Sequence, residues 1–295
     1  MVRKLYLHAG AHRTGTSSFQ LCLAANRQQL ESEGYDLAYP GRDGAPEGHL
    51  HLRLPKPSHG EDQHGAFVGK VTRALKKHVS GEDQPLVLSE ENLLGLIIHF
   101  FSGRLYPARR KRLRVFRDGL EAVGAEAEHI LLIVRPYEEL FVSGFRKHAE
   151  DNAVEPFETH AEAMATFRGG WPEAVKALQN VLKPKSMTVV EYGARGTSSE
   201  LLVRLLGAEA GAYVEPEYDL NVSATDAALE HLQGIYHAGK VLEREDWQAV
   251  IAEYAAHGED RGFARFSEAQ SEALARRYEE DLALIGSMEG VTLIT

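Results

Sequence analysis

Residues 6–20, YLHAGAHRTGTSSFQ, decide how this chain is read. They pass from a strand-like segment through a glycine turn into a helix-like one. Four residues lie between Gly10 and Gly15, and Thr16 and Ser17 follow, which is nearly the spacing of a nucleotide-phosphate loop. In an ATP-binding loop a lysine follows the second glycine and reaches the β and γ phosphates. Here Thr16 holds that place, and the cation, Arg13, comes three residues earlier. A turn between strand and helix aims backbone N–H groups and the positive end of the helix dipole at one point. Thr14, Thr16, Ser17 and Ser18 add hydroxyl donors. The loop suits an anion and is poorly fitted for ATP hydrolysis.

Outward from the loop, residues 2–8 read as a strand, and Phe19, Leu21, Leu23 and Leu30 mark a helix stopped by Gly34. QPLVLSEENLLGLIIHF predicts a buried strand at 85–89 running into a helix. EHILLIVRPYEELFVSGFRKHAED repeats the pattern, with a strand at 129–134 and a helix whose first turn holds Pro136. MTVVEYG followed by TSSELLVRLLGA makes a fourth strand and helix. Strands alternating with helices predict an α/β fold, a parallel sheet covered on both faces, with ligands at the carboxyl ends of the strands. Residues 39–65, rich in Pro, Gly and His, have neither period and read as a long loop. Beyond about residue 222 the pattern is helical only. The expectation is one domain over 1–295, with an α/β core at 1–221 and a helical extension at 222–295 that either wraps the sheet or caps a cleft.

With 295 residues, 43% of them hydrophobic, the chain can bury a large core, which excludes a disordered or fibrous protein. A net charge of −10 argues against a nucleic-acid partner, so any anion site must be local. Cys22 is the only cysteine, which excludes an internal disulfide. No apolar run approaches membrane-spanning length. A strand beginning at residue 2 leaves no room for a cleaved signal peptide, so a cytoplasmic setting is expected.

RTGTSS, residues 13–18, resembles the 5′-phosphosulfate loop of the sulfotransferases that use 3′-phosphoadenosine-5′-phosphosulfate (PAPS). In that family a lysine precedes Ser, Thr or Gly, then Gly-Thr and further hydroxyl residues. Arg13 stands at the lysine position, and the match runs from Thr14 onward. The same family places an arginine at a later strand end and a serine eight residues on, both on the 3′-phosphate. In IVRPYEELFVSGF these are Arg135 and Ser143. NVSATDAALEHL and RYEEDLALIG also look like the C-terminal pattern of many bacterial sulfotransferases.

The resemblance implies a three-layer, P-loop NTPase-like sheet and PAPS as donor, with 3′-phosphoadenosine-5′-phosphate (PAP) as product and no metal. His12, Arg13, Thr14, Gly15, Thr16, Ser17, Ser18, Arg135 and Ser143 would hold the nucleotide, and Arg13 would face the leaving group. The acceptor would be a hydroxyl, less readily an amine, of a carbohydrate, lipid or small molecule. Arg195 in GARGTSS is the one counterpart offered to an Arg-Lys-Gly segment of the cytosolic animal enzymes, and it reads equally well as an ordinary loop residue.

The family's base is a histidine ending the strand before the Arg and Ser strand, or a glutamate nearer the first loop. Here Glu90 ends PLVLSEEN, although Ser89 and Glu90 also suit a helix start. His49 and His51 in the long loop are the alternatives, since an imidazole titrates near working pH. His12 would instead meet a sulfate oxygen. The His49 and His51 pair has no third ligand at a familiar zinc spacing, so no metal site is expected. In RLYPARRKRLRVFRDGL, Leu113, Phe116, Leu120 and Val123 form a stripe that leaves Arg110, Lys111, Arg114 and Arg117 on other faces. That run is either a solvated face or steers an anionic acceptor such as an acidic glycan. Two other readings compete: a P-loop kinase or NTPase, disfavoured by the missing lysine and by the lack of a strand-end Asp, and a catalytically silent nucleotide-binding protein.

Overall fold

The computed structural model describes residues 2–41, 45–81, 83–217 and 223–295. Its strands are β1 (Arg3–His8), β2 (Asp36–Ala38), β3 (Leu86–Ser89), β4 (Ala125–Val134), β5 (Ser186–Glu191) and β6 (Val291–Ile294). They form one sheet in the order β2-β3-β1-β4-β5-β6, and every pairing is parallel. The chain moves from β1 to β2 and β3 on one side and then crosses to β4 on the other, so β1 lies at the point where the winding direction reverses. A crevice at the carboxyl end of β1 follows from that crossing.

Helices α1 (Thr16–Ala25), α2 (Arg27–Ser32) and α8 (Ser198–Leu206) contribute to one layer. There Phe19, Leu23, Leu201 and Leu202 pack on Leu131, Ile133 and Val190. The opposite layer contains α3 (His64–Leu75), α4 (Arg109–Glu121), α5 (Tyr137–Ala149), α6 (Glu158–Ala165) and α7 (Trp171–Leu182). Val71, Phe116, Phe141 and Leu178 cover Leu7, Leu88, Ile130 and Leu132 on this face. Successive residues of β4 therefore serve opposite cores, which explains its unbroken apolar run. The α/β expectation holds at this level: a parallel sheet between two helical layers.

Several elements depart from the sequence reading. The segment after β3 does not enter an α-helix. It turns at residues 91–94 and forms a 3-10 helix at Ile97–Ser102, burying Leu93, Leu94 and Phe100. Helices α3, α6 and α7, strand β2 and strand β6 were not anticipated. The terminal region is also not helical throughout. After α9 (Asp226–His237), α10 (Arg244–Glu253) and α11 (Glu268–Gly286), the chain adds β6 beside β5. Within this region α11 packs over α5 and α7, while α9 packs on α5. Of the NVSATDAALEHL stretch, Asn221 and Val222 lie outside the described residues, as does the 1–221 boundary itself.

Candidate active site

Register gathers the site. Leu7 pairs with Leu88 and His8 with Ser89, so β1 and β3 end level and release the glycine loop and Glu90 side by side. Val134 pairs with Glu191, so β4 and β5 release Arg135 and Tyr192 side by side. Four strand ends thus meet around the N-terminus of α1.

The loop is shaped for an anion. Gly15 is the N-cap of α1 at φ 87°, a left-handed conformation that glycine adopts freely. No side chain caps this helix and no acidic residue occupies its first turn. The Thr14 and Thr16 hydroxyls are not spare donors, as the sequence had suggested. Both donate inward to the Ala11 carbonyl, at 2.8 and 3.1 Å, and so hold the loop closed. The backbone N–H groups of Arg13, Thr14, Gly15, Thr16 and Ser18 donate to no acceptor among the described residues. Such a set of unspent donors at a helix start is the usual cradle for a phosphate or sulfate.

Arg13 joins the two motifs. Its Nε donates to Ser143 Oγ on α5 at 2.8 Å, and Arg135 Nη1 donates back to the Arg13 carbonyl at 2.8 Å. Arg135 also pairs with Glu139 at 3.1 Å, while its own carbonyl accepts Trp171 Nε1 at 2.9 Å. Burial lowers the Arg13 guanidinium below its usual range, and the carboxylates of Glu150 and Glu91 oppose that shift. A cavity of about 270 Å³ opens here, lined by Arg13, Arg135, Ser143, Arg146, Lys147 and Glu150 and closed by Ser223 and Ala224 ahead of α9. Two of its cations are held in place: Arg146 pairs with Asp226, and Lys147 pairs with Glu150 at 2.6 Å.

Arg195, which the sequence left undecided, comes to the loop. A Cβ on Gly15 would lie 1.9 Å from Arg195 Nη1, so the missing side chain is what admits the guanidinium. Arg195 and Arg135 both lie over the ring of Tyr192, at 4.6 and 4.4 Å from its centroid. The π face allows two like charges to stand together at the strand ends. No local signal marks Tyr192 in the sequence. It is found only because β5 ends level with β4.

Glu90 follows β3 as expected and is fully buried. Its Oε1 accepts the backbone N–H of Asn92 at 2.9 Å. Behind it lies Arg112, a buried member of the basic run, which donates to the carbonyls of Asn92, Leu93 and Pro55. Burial pushes Arg112 down to about 10, and Glu90 counters this. Glu91, passed over in the sequence, is half-buried and close enough to Arg13 and Tyr106 to bias both. Its Cα would sit 3.0 Å from a Cβ on Gly10, so this turn rests on the glycine loop.

His12 lies behind the loop. Its Nε2 meets the Gly95 carbonyl at 3.2 Å, its N–H reaches Tyr106 Oη at 3.3 Å, and its ring packs near Phe100. His49 and His51 line a separate cavity that shares no lining residue with the one at Arg13. Much of the basic run is engaged elsewhere: Arg114 pairs with Glu61, Arg117 with Asp118 and Glu121, and Lys111 donates to the His59 carbonyl. Among the described residues no helix is long and apolar enough to cross a membrane. The chain matches no protein-family model, and no curated protein matches it significantly.

Proposed function

We propose that this chain is a sulfotransferase of the P-loop-like type that moves a sulfuryl group from PAPS to an acceptor hydroxyl. The observation that carries the reading is the contact between the motifs. Arg13 of the loop and Ser143 of α5 are hydrogen-bonded, and Arg135 is bonded to the loop carbonyl beside them. A lone glycine turn can serve merely to start a helix. A glycine turn bound to the arginine and serine of a second phosphate motif, with a third arginine against Gly15, supports a nucleotide carrying anions at two places.

The residues present fit such a donor. Unspent N–H groups, the helix dipole and Arg13 suit the phosphosulfate, while Arg135, Ser143 and Arg195 suit the 3′-phosphate. In the reaction the acceptor oxygen bonds to sulfur as the bond from sulfur to the bridging oxygen breaks, and the acceptor proton passes to a base. Arg13, held on Ser143, stabilises negative charge where the leaving oxygen develops it and need not lose a proton to do so. The base is a carboxylate of the 90–91 turn. Glu90 closes that turn and faces Arg112, whereas Glu91 shares the loop side with Arg13, so we assign proton removal to Glu91 and positioning to Glu90. His49 and His51 sit apart from Arg13 and are not used. The charge of the phosphate loop is carried by Arg13, with no cation at Thr16, which favours this reading over a kinase. A cytoplasmic location accords with it.

The test compares thermal unfolding with PAP and with ATP and magnesium. PAP is expected to raise the midpoint clearly and ATP with magnesium to do so less. Preferential stabilisation by ATP would sink the proposal. PAP binding without sulfate transfer to any acceptor in a broad panel would mark a silent nucleotide-binding protein.

A further inference from the structure

At the β2 edge of the sheet a second cavity, about 350 Å³, carries a charge pattern that the reaction site does not use. One wall is the extended stretch His49–Leu54, HLHLRL, tied to the strand by Leu50 N–H donating to the Tyr39 carbonyl at 3.0 Å. Leu50 and Leu54 are buried and Leu52 is half-buried against the core, so His49, His51 and Arg53 all face outward. The other wall is α3 and the turn after it, where Lys70, Arg73 and Lys77 recur at helical spacing on one side.

Arg53, Lys70, Arg73 and Lys77 are exposed, and none forms an ion pair among the described residues. This contrasts with Arg114 and Arg117 on the neighbouring helix, which are neutralised by carboxylates. In a chain of net charge −10, four cations without an ion pair among the described residues and two imidazoles in one groove are a concentrated exception. At one end, past His49 and Lys77, lies a region where Arg27 is matched by Glu31 and Glu47, so the cationic stretch stops there. At the other end Pro55 accepts Arg112 Nη1 at 2.8 Å, and the same guanidinium holds the turn that follows Glu90.

We propose that this groove is a subsite for an anionic polysaccharide, holding the charged sugars of an acceptor chain that continues toward the 90–91 turn. The delivery of its hydroxyl rests on the sulfotransferase reading, but the binding does not. Three cations at helical spacing on one wall, faced by Arg53 and two imidazoles on the other, suit carboxylates or sulfates repeated along an extended chain, with arginine forks and lysine point charges sharing the contacts. Among the described residues no Phe, Tyr or Trp lines the groove, so the large aromatic rings on which nucleic-acid bases most often stack are absent from its lining. Among the described residues Ala74 is the one apolar side chain in its lining, so no cluster of aliphatic or aromatic side chains is presented to anchor a peptide. A charged polysaccharide combines the anions the groove can bind with the hydroxyls the reaction needs.

The test uses fluorescence anisotropy at low salt with two labelled oligosaccharides, an oligogalacturonate bearing carboxylates and a sulfated dextran fragment. Binding of at least one is expected, weakening as salt screens the exposed charges. Affinity should fall tenfold or more in Arg53→Glu and in the double variant Arg73→Glu, Lys77→Glu. These side chains are exposed, so both variants should unfold at the wild-type temperature and keep wild-type affinity for PAP. The comparison of the two sugars decides between carboxylate and sulfate. The proposal is overturned if neither sugar binds, if charge reversal leaves binding unchanged, or if an oligothymidylate or oligoglutamate of equal charge binds more tightly. If PAP fails to bind while an oligosaccharide binds in a groove-dependent way, the groove stands and the donor reading falls.

Discussion

Arg13 Nε donates to Ser143 Oγ across 2.8 Å although 130 positions separate them in the chain. Arg13 holds φ at 62°, a left-handed conformation unusual for a residue with a side chain. Its side chain is tied to α5 and its carbonyl to Arg135, so the α5 side fixes the loop in a geometry that the loop sequence does not favour alone. Loop and helix therefore form one hydrogen-bonded unit, and on the proposed reading damage to either partner should be felt at both ends of the nucleotide.

Arg135→Ala removes a charge-assisted contact and the bond that steadies the loop carbonyl. PAP affinity, read by calorimetry, is expected to weaken by about 2 kcal/mol, with Ser143→Ala costing about half as much because Arg13 keeps its charge. Unchanged affinity in Arg135→Ala would refute its assignment.

Gly15→Ala should be the more damaging loop change. The methyl would meet Arg195 Nη1 at 1.9 Å, and φ of 87° is strained for any residue with a Cβ, by about 1–2 kcal/mol. The variant should lose PAP affinity beyond what Arg195→Ala loses, and adding Arg195→Ala to it should relieve the contact with the methyl but leave the φ strain and restore no binding. A Gly15→Ala protein with wild-type PAP affinity would show that Arg195 does not belong to the site.

The fold was legible where local pattern and tertiary context agree. The apolar runs at 129–134 and 85–89 are strands because both faces are covered, and the glycine turn before α1 announces the crevice. Illegible features depend on distant partners. Val291–Ile294 is too short to declare itself and becomes a strand only against β5. LSEENLLGLIIHF looked helical because its leucines suit a helix, but Gly95 and the need to bury Leu93 and Leu94 beside Arg112 break it into a turn and a 3-10 segment. Motif and strand end pointed to Arg13, Arg135 and Ser143, which the structure brings into contact. Arg195 was offered but left undecided, and Tyr192 and Glu91 were not singled out, because register and a missing Cβ bring these residues in. The alternation of HLHLRL at 49–54 was missed, because it lies within a stretch rich in Pro and Gly that reads as having no period.

Glu91→Gln should reduce turnover roughly a hundredfold with little change in PAP affinity, as loss of a general base would. Glu90→Gln should act chiefly on stability, since it leaves buried Arg112 without its nearest countercharge. Steady-state kinetics with thermal unfolding on the two variants separates these roles. A fully active Glu91→Gln beside a correctly folded, inactive Glu90→Gln would transfer the base to Glu90.

His8 gives a pH signature beneath the loop. The ring is fully buried at the end of β1, with Nδ1 against Ser89 Oγ at 2.9 Å and Nε2 without a hydrogen-bond partner among the described residues. Burial therefore lowers its pKa to about 3, from 6.5 when the chain is unfolded. The folded state binds this proton less readily than the unfolded state, so the stability is fully present above 6.5 and is lost as pH falls toward 3. Between those limits one proton corresponds to about 1.4 kcal/mol per pH unit. Denaturant unfolding at several pH values should show that component in the wild type and its absence in His8→Leu, whatever the starting stability of the variant. Parallel pH slopes for the two proteins would mean that His8 accepts a proton while folded and that the strand ends below the phosphate loop are open to water.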